Sequence, residues 1–121
     1  MISVLIVEDD AFIRDITTIK FSEHDYEVVS CGSAEAALEA LDARMFDVLL
    51  LDLDLPDMSG IELLTAVRAH KNGHTTKVIV FSNSDDAELK QAVTTLGVLA
   101  LFAKASTPYE ELFTLIDGEA T

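Results

Sequence analysis

Short apolar runs recur five times along the chain, at Ser3–Val7, Tyr26–Ser30, Asp47–Leu51, Lys77–Phe81 and Val98–Phe102. Each has strand length. The first, third and fourth are apolar almost throughout rather than alternating, the pattern of parallel strands covered on both faces. Between the runs the apolar positions change period. Phe12, Ile13, Ile16 and Ile19 form one stripe, and Ala37, Leu38, Leu41 and Met45 another. Leu89, Ala92, Val93 and Leu96 fit the i, i+3, i+4, i+7 spacing of a helix with one buried face, as do Tyr109, Leu112, Phe113 and Ile116. Punctuation agrees with the periods. Ser33, Ser59 and Ser84 stand where helix N-caps belong, and Gly97 stands just past a helix end. Thr107-Pro-Tyr-Glu110 combines a capping box with proline at the first helical position. Strands alternating with helices predict an α/β fold on a parallel sheet, with function beyond the carboxyl ends of the strands.

Length and charge narrow the function. The chain has 121 residues, which predicts one domain over 1–121. Half the residues are apolar, so a packed core is expected rather than disorder. The longest unbroken apolar run is Val98–Ala103, whereas a membrane-spanning helix needs about 20 residues. The N-terminus also lacks the basic start and cleavage site of a signal peptide, so a soluble, cytoplasmic protein is expected. The net charge is −14, from 8 Lys plus Arg against 22 Asp plus Glu. The basic residues are scattered and none follows Lys104, which argues against direct nucleic-acid binding and against docking to an anionic membrane. Cys31 is the single cysteine, excluding an internal disulfide and a thiolate metal cage.

The strand ends carry the candidate chemistry. The first run leads into Glu8, Asp9 and Asp10, the third ends at Asp52, the fourth at Ser82, and the fifth runs into Lys104. Parallel strands bring these ends to one edge, so Glu8, Asp9 and Asp52 are expected to converge. Two carboxylates about 5 Å apart repel by roughly 3 kcal/mol at an effective dielectric near 20. Three such pairs cost on the order of 10 kcal/mol, comparable to a domain's stability. An oxygen-seeking divalent cation relieves that at neutral pH, which predicts Mg²⁺, with Mn²⁺ as a substitute. A cation, a carboxylate, a hydroxyl and a lysine together suit phosphoryl transfer, with Asp52 as a nucleophile that forms an aspartyl phosphate. Each residue alone has a plainer reading: a helix N-terminus for Glu8 to Asp10, a turn for Asp52, solvated polar groups for Ser82 and Lys104. The ordered set at four strand ends favours the chemical reading. His24, His70 and His74 show no ligand spacing and are read as solvated. Cys31 is read as a structural or half-exposed thiol, and the glycines form no dinucleotide or phosphate-loop motif.

With these residues the chain resembles the receiver domain of two-component response regulators, the CheY-like superfamily. The acidic pair corresponds to Glu8 and Asp9, the phosphoacceptor to Asp52 with Pro56 and Gly60 beyond it, the switch hydroxyl to Ser82 and the lysine to Lys104. The resemblance implies a (βα)5 doubly wound, flavodoxin-like fold: a five-stranded parallel sheet with helices on both faces. It also implies Mg²⁺ held by Glu8, Asp9, Asp52 and the backbone carbonyl of Asp54. A phosphoryl group would come from a partner histidine kinase or histidine phosphotransfer protein. Ser82 would then shift and bias the face made by the fourth helix, fifth strand and fifth helix toward a downstream protein target.

Three positions depart from that pattern. Asn83 stands where a small residue follows the hydroxyl, so its bulk would slow access or place an amide near the phosphoryl group. Ala105 replaces the proline, usually in a cis peptide, that follows the lysine, so the loop is either trans or strained. Leu101 replaces the switch aromatic three residues before the lysine, which alters the readout. No output domain follows, so the expected unit acts by binding or is cut from a longer protein. The last helix lacks Lys and Arg, against the charge-paired dimer of winged-helix regulators. Two alternatives stay open: a receiver that binds independently of phosphorylation, and a haloacid-dehalogenase-type Mg²⁺ phosphatase built on Asp52 and Asp54.

Overall fold

A computed structural model describes residues 1–119, so the last two residues of the expected domain lie outside the described residues. Five strands, β1 (Ser3–Val7), β2 (Glu27–Cys31), β3 (Val48–Leu51), β4 (Lys77–Ser82) and β5 (Ala100–Ala103), alternate with five helices. The helices are α1 (Ala11–Glu23), α2 (Ala34–Ala43), α3 (Gly60–Ala69), α4 (Ala87–Thr95) and α5 (Tyr109–Glu119). All strand pairs are parallel and the sheet order is β2-β1-β3-β4-β5. That is the flavodoxin-like doubly wound order, whose switch point lies where the chain leaves β1 for one side of the sheet and β3 for the other.

The continuous apolar strands have a simple cause. Along β1, Leu5 and Val7 enter one core with α2, α3 and α4, whereas Val4 and Ile6 enter a second core with α1 and α5. Both faces are covered, so no position on β1 faces water. β2, at the sheet edge, is half exposed and keeps polar residues at Glu27 and Ser30. Gly97 follows α4 with φ +83°, the left-handed conformation that ends a helix at little steric cost for glycine.

Several boundaries differ from expectation. β2 runs Glu27–Cys31, one residue later than predicted, because the Tyr26 N–H turns back to the Phe21 carbonyl and its hydroxyl donates to Asp117 at 2.7 Å. Asp47 lies outside β3, its carboxylate accepting both the N–H and the hydroxyl of Ser3. β5 starts at Ala100 rather than Val98. Ser33 and Ser59 cap α2 and α3 as expected, but α4 is capped by Asp86, not Ser84. The Ser84 N–H instead donates to the Ser82 hydroxyl, extending the loop by two residues. α5 begins at Tyr109, so Pro108 precedes its first residue.

The α1 stripe is also corrected. Phe12 is 73% exposed and Ile19 57%, while the buried residues are Thr17 and Phe21. Thr17 escapes an apolar count, but a 2.9 Å hydrogen bond to the Tyr109 hydroxyl satisfies its polar atom and lets it face the sheet. Met45 likewise lies beyond the end of α2 and is exposed. The histidines are not simply solvated. His24 Nε2 bonds Asp117 at 2.9 Å with its ring stacked on Phe113, and His70 Nε2 bonds Asp42 at 2.7 Å. His74 donates from Nδ1 to the Arg68 carbonyl.

Arg68 ties the amino-terminal edge of the sheet together. One guanidinium nitrogen donates to the Thr76 carbonyl at 2.7 Å and the Gly73 carbonyl at 3.3 Å, and the other to the Gly97 carbonyl at 2.9 Å. Three carbonyls from two loops then depend on one fork. Arg68→Ala is expected to cost about 2 kcal/mol, the scale of charge-assisted hydrogen bonds. Arg68→Lys should recover only part of this, since a point charge cannot span the fork. Urea denaturation checks both; an Arg68→Ala midpoint equal to wild type removes the fork from the stability account.

Candidate functional site

The parallel ladders deliver the acids to one edge. Beyond β1, the Glu8 N–H still donates to the Cys31 carbonyl at 3.0 Å, and the Asp52 N–H to the Val7 carbonyl at 3.1 Å. Both backbones are therefore fixed by the sheet up to the residue that carries the chemistry. Glu8 is 4% exposed and Asp52 5%, whereas Asp9 faces solvent. Asp10 caps α1 by accepting the Ile13 N–H at 3.0 Å, and its own N–H donates to Glu8 Oε2 at 3.2 Å.

Asp52 is held at both oxygens. Oδ1 accepts the Ser82 hydroxyl at 3.0 Å and the Asp54 N–H at 3.2 Å, and Oδ2 accepts Lys104 Nζ at 2.8 Å. Lys104 also bonds Glu8 Oε1. Oxygens of Glu8, Asp9 and Asp52 lie within 4.8 Å of one another, a spacing and donor type that suit a hard divalent cation. The structure thus brings Glu8, Asp9, Asp52, Ser82 and Lys104 into one cluster at the sheet edge, with Asp54 beside it on the loop after β3.

Charge within the cluster is met first by the chain itself. Burial pushes the Glu8 carboxyl up; Lys104 pulls it back in part and the neighbouring Asp52 raises it further, leaving it at about 7. Burial acts on Asp52 in the same direction, but the hydrogen bond and charge of Lys104 with the Asp54 N–H outweigh it and hold the carboxyl below its usual value. For Lys104, burial favours the neutral amine, and the two carboxylates reverse this and keep the ammonium charged. The repulsion expected from sequence is real, but a lysine lies between two of the three acids and the third faces water.

Residues that sequence reasoning passed over shape the same loops. Arg14 on α1 donates to the Glu8 carbonyl at 2.9 Å and the Asp9 carbonyl at 3.4 Å, fixing the loop that carries the acids. Gly32 makes room for it: a Cβ there would come within 2.7 Å of the guanidinium. Asp57 accepts the N–H groups of Ala34 and Glu35 at 3.0 Å each, which anchors the loop after Asp52 to the N-terminus of α2. Arg14 had no sequence signal beyond its place on a helix, and Asp57 none beyond its place in the segment between β3 and α3.

The departures resolve individually. The Lys104–Ala105 peptide is trans. Leu101 packs in the core beneath α2, α3 and α4, while Phe102, the adjacent aromatic, packs on the opposite face with α1 and α5. Strand alternation therefore keeps Phe102 from standing in for an aromatic at 101. The Asn83 side chain turns to the backbone, its oxygen accepting the Ala105 N–H at 2.9 Å.

The chain matches the response regulator receiver domain family over residues 4–117. Over 90 residues, 74% of its length, it is 36% identical to the transcriptional regulatory protein KdpE of Mycobacterium tuberculosis, and that match covers 38% of KdpE. The chain spans less than half the length of curated relatives it matches: 38% of KdpE and 45% of the regulatory protein VanR of Enterococcus faecium. A response regulator receiver protein from Pseudomonas putida superposes with a TM-score of 0.90 at 25% identity, covering 97% of this chain and 96% of that one. The receiver domain of a Pseudomonas aeruginosa sensor histidine kinase, solved with a magnesium ion coordinated in its active site cleft, gives a TM-score of 0.85 at 20% identity, covering 96% and 94%.

Proposed function

Because the chain belongs to the response regulator receiver domain family of two-component signal transduction, we propose that residues 1–121 act as one phosphorylation-switched unit in the cytoplasm, with Asp52 as phosphoacceptor. Receiver domains are signalling phosphoacceptors rather than classical enzymes, and they interact with histidine kinases and downstream effectors. The observation that carries the reading is the double hold on Asp52: a hydroxyl on one oxygen, an ammonium on the other, and two further acids at the same edge.

An Asp52 oxygen attacks the phosphorus of a phosphohistidine on a partner kinase or phosphotransfer protein. The P–N bond breaks and the imidazole leaves. Glu8, Asp9, Asp52 and the backbone carbonyl of Asp54 would hold Mg²⁺, or Mn²⁺ in its place, and the cation supplies positive charge against the phosphoryl oxygens. Lys104 neutralises charge from the other side. Ser82 releases Asp52 Oδ1 and donates its hydroxyl to the new phosphoryl group, biasing the α4–β5–α5 face toward a protein target. A net charge of −14 supports a protein partner over nucleic acid or an anionic membrane. Leu101 favours a second reading, in which that target binds with or without phosphorylation, since the aromatic that would report the hydroxyl's movement is replaced.

The test is intact-mass measurement after incubation with a small-molecule phosphodonor and Mg²⁺. Wild type should gain one phosphoryl group and Asp52→Asn none. If neither gains one and beryllofluoride with Mg²⁺ does not bind wild type, the phosphoacceptor reading fails. Equal target affinity with and without beryllofluoride selects the second reading.

A further inference from the structure

The backbone that carries Lys104 is held by more than the sheet. Ala103 to Ser106 forms a tight turn closed by the Ser106 N–H on the Ala103 carbonyl at 3.3 Å. Such a turn leaves the N–H groups of its two central residues, Lys104 and Ala105, without a partner inside it. Both find one at the end of β4. The Lys104 N–H donates to the Ser82 carbonyl at 3.3 Å, and the Ala105 N–H to the Asn83 side-chain oxygen at 2.9 Å. This direction also fixes the amide, since the opposite flip would set N–H against N–H.

Ala105 does not need Asn83 for solvation, because both are exposed and water can serve an exposed N–H. What the bond adds is position. Lys104 is clamped through its own N–H and through its successor's, and both clamps sit on consecutive residues, Ser82 and Asn83. The side chain that starts from this turn is long and flexible, yet its ammonium meets Asp52 and Glu8 across the pocket.

The geometry points to Asn83 as a positioning residue: its side-chain oxygen latches the Ala105 N–H and fixes the turn from which Lys104 reaches Asp52. Asn83 and Ala105 are then one device rather than two separate departures. A proline at 105 would have no N–H to give, and an alanine at 83 no oxygen to receive it. The latch also puts the two side-chain donors to Asp52, the Ser82 hydroxyl and the Lys104 ammonium, on a common frame. The kinetic part of this inference rests on Asp52 being the phosphoacceptor; the latch itself does not.

Two measurements on the full chain decide it. By NMR hydrogen exchange, the Ala105 amide should exchange roughly 10-fold faster in Asn83→Ala than in wild type, as an amide that has lost its partner to local opening. Asn83→Asp, which keeps an acceptor oxygen, should retain the protection. In phosphoryl uptake, Asn83→Ala should slow Asp52 by roughly 5- to 10-fold, below the roughly 10²-fold that a full 1 Å misplacement can cause. In a Lys104→Ala background the same substitution should change uptake by less than about 2-fold, because no ammonium remains to be placed. Unchanged exchange in Asn83→Ala overturns the latch. Equal slowing in both backgrounds overturns action through Lys104. If wild type takes up no phosphoryl group, the phosphoacceptor reading fails alone, and loss of Ala105 protection in Asn83→Ala still sustains the latch.

Discussion

Lys104→Ala is expected to slow phosphoryl uptake at Asp52 by about 10²–10³-fold, the cost of removing one preorganised donor from a site where negative charge moves. Nζ lies 2.8 Å from Asp52 Oδ2 and is kept charged by its two carboxylate partners, so it faces an incoming phosphoryl group already oriented. The substitution also acts on stability. Breaking a buried ion pair from one side costs about 3–5 kcal/mol when the stranded charge has no escape. Here there is one: Glu8 already titrates near 7 with the lysine present, and without it takes up a proton at neutral pH. The loss in metal-free protein should therefore stay nearer about 2 kcal/mol and grow as the pH is raised, when proton uptake becomes costly. Added Mg²⁺ should restore part of it if the three acids hold the ion. Time-resolved intact mass and urea denaturation follow the two effects separately. Uptake within about threefold of wild type would remove Lys104 from the transfer step, whatever happens to stability.

The contrast between what sequence conveyed and what it hid follows from where each constraint acts. Strand identity in β1, β3 and β4 was legible because both faces of those strands are buried, and only unbroken apolar runs satisfy two cores at once. The cluster at the sheet edge was legible because the topology converts strand order into proximity: Glu8, Asp52 and Lys104 each follow a strand directly, and Ser82 is the last residue of one. Side chains that act on a loop's backbone were not. Asp57 and Asn83 bond main-chain groups distant in sequence, Arg14 bonds the carbonyls of the loop just before its own helix, and no apolar periodicity records such bonds. Nor does apolar counting find Thr17, which is buried because Tyr109, from α5, supplies its hydrogen bond. The α4 cap shows the same limit on a shorter scale. Ser84 and Asp86 both suit an N-cap, and the Ser84 N–H bond to Ser82 carries the loop past the first.

Glu8→Gln should make the metal-free protein more stable at pH 8 while weakening its hold on Mg²⁺. The folded-state carboxyl of Glu8 titrates at about 7 against an ordinary 4.5, so the folded chain binds more protons than the unfolded chain between those values. Stability therefore falls as pH rises through that window and levels off above it. At 1.36 kcal/mol per unit the wild-type loss between pH 5 and pH 8 is on the order of 3 kcal/mol. Other displaced groups do not obscure it. Asp52, Asp57 and Asp117 are held below 3.8, and Cys31, Tyr26 and Lys104 are pushed above their already basic values. The amide cannot ionise, so the slope should largely disappear in the variant. It pays about 1 kcal/mol for replacing one acceptor oxygen that serves the Asp10 N–H or Lys104. The net gain at pH 8 is then about 2 kcal/mol, fading and reversing slightly at pH 5, where wild-type Glu8 is protonated. Saturating Mg²⁺ should flatten the wild-type slope and narrow the gap, because an ion that binds the folded state alone stabilises it in proportion to its affinity. Urea denaturation at pH 5 and 8, with and without Mg²⁺, separates these terms. A wild-type stability that rises from pH 5 to pH 8 would mean that Lys104 holds Glu8 ionised, and that the acids are not in competition for charge before the metal arrives.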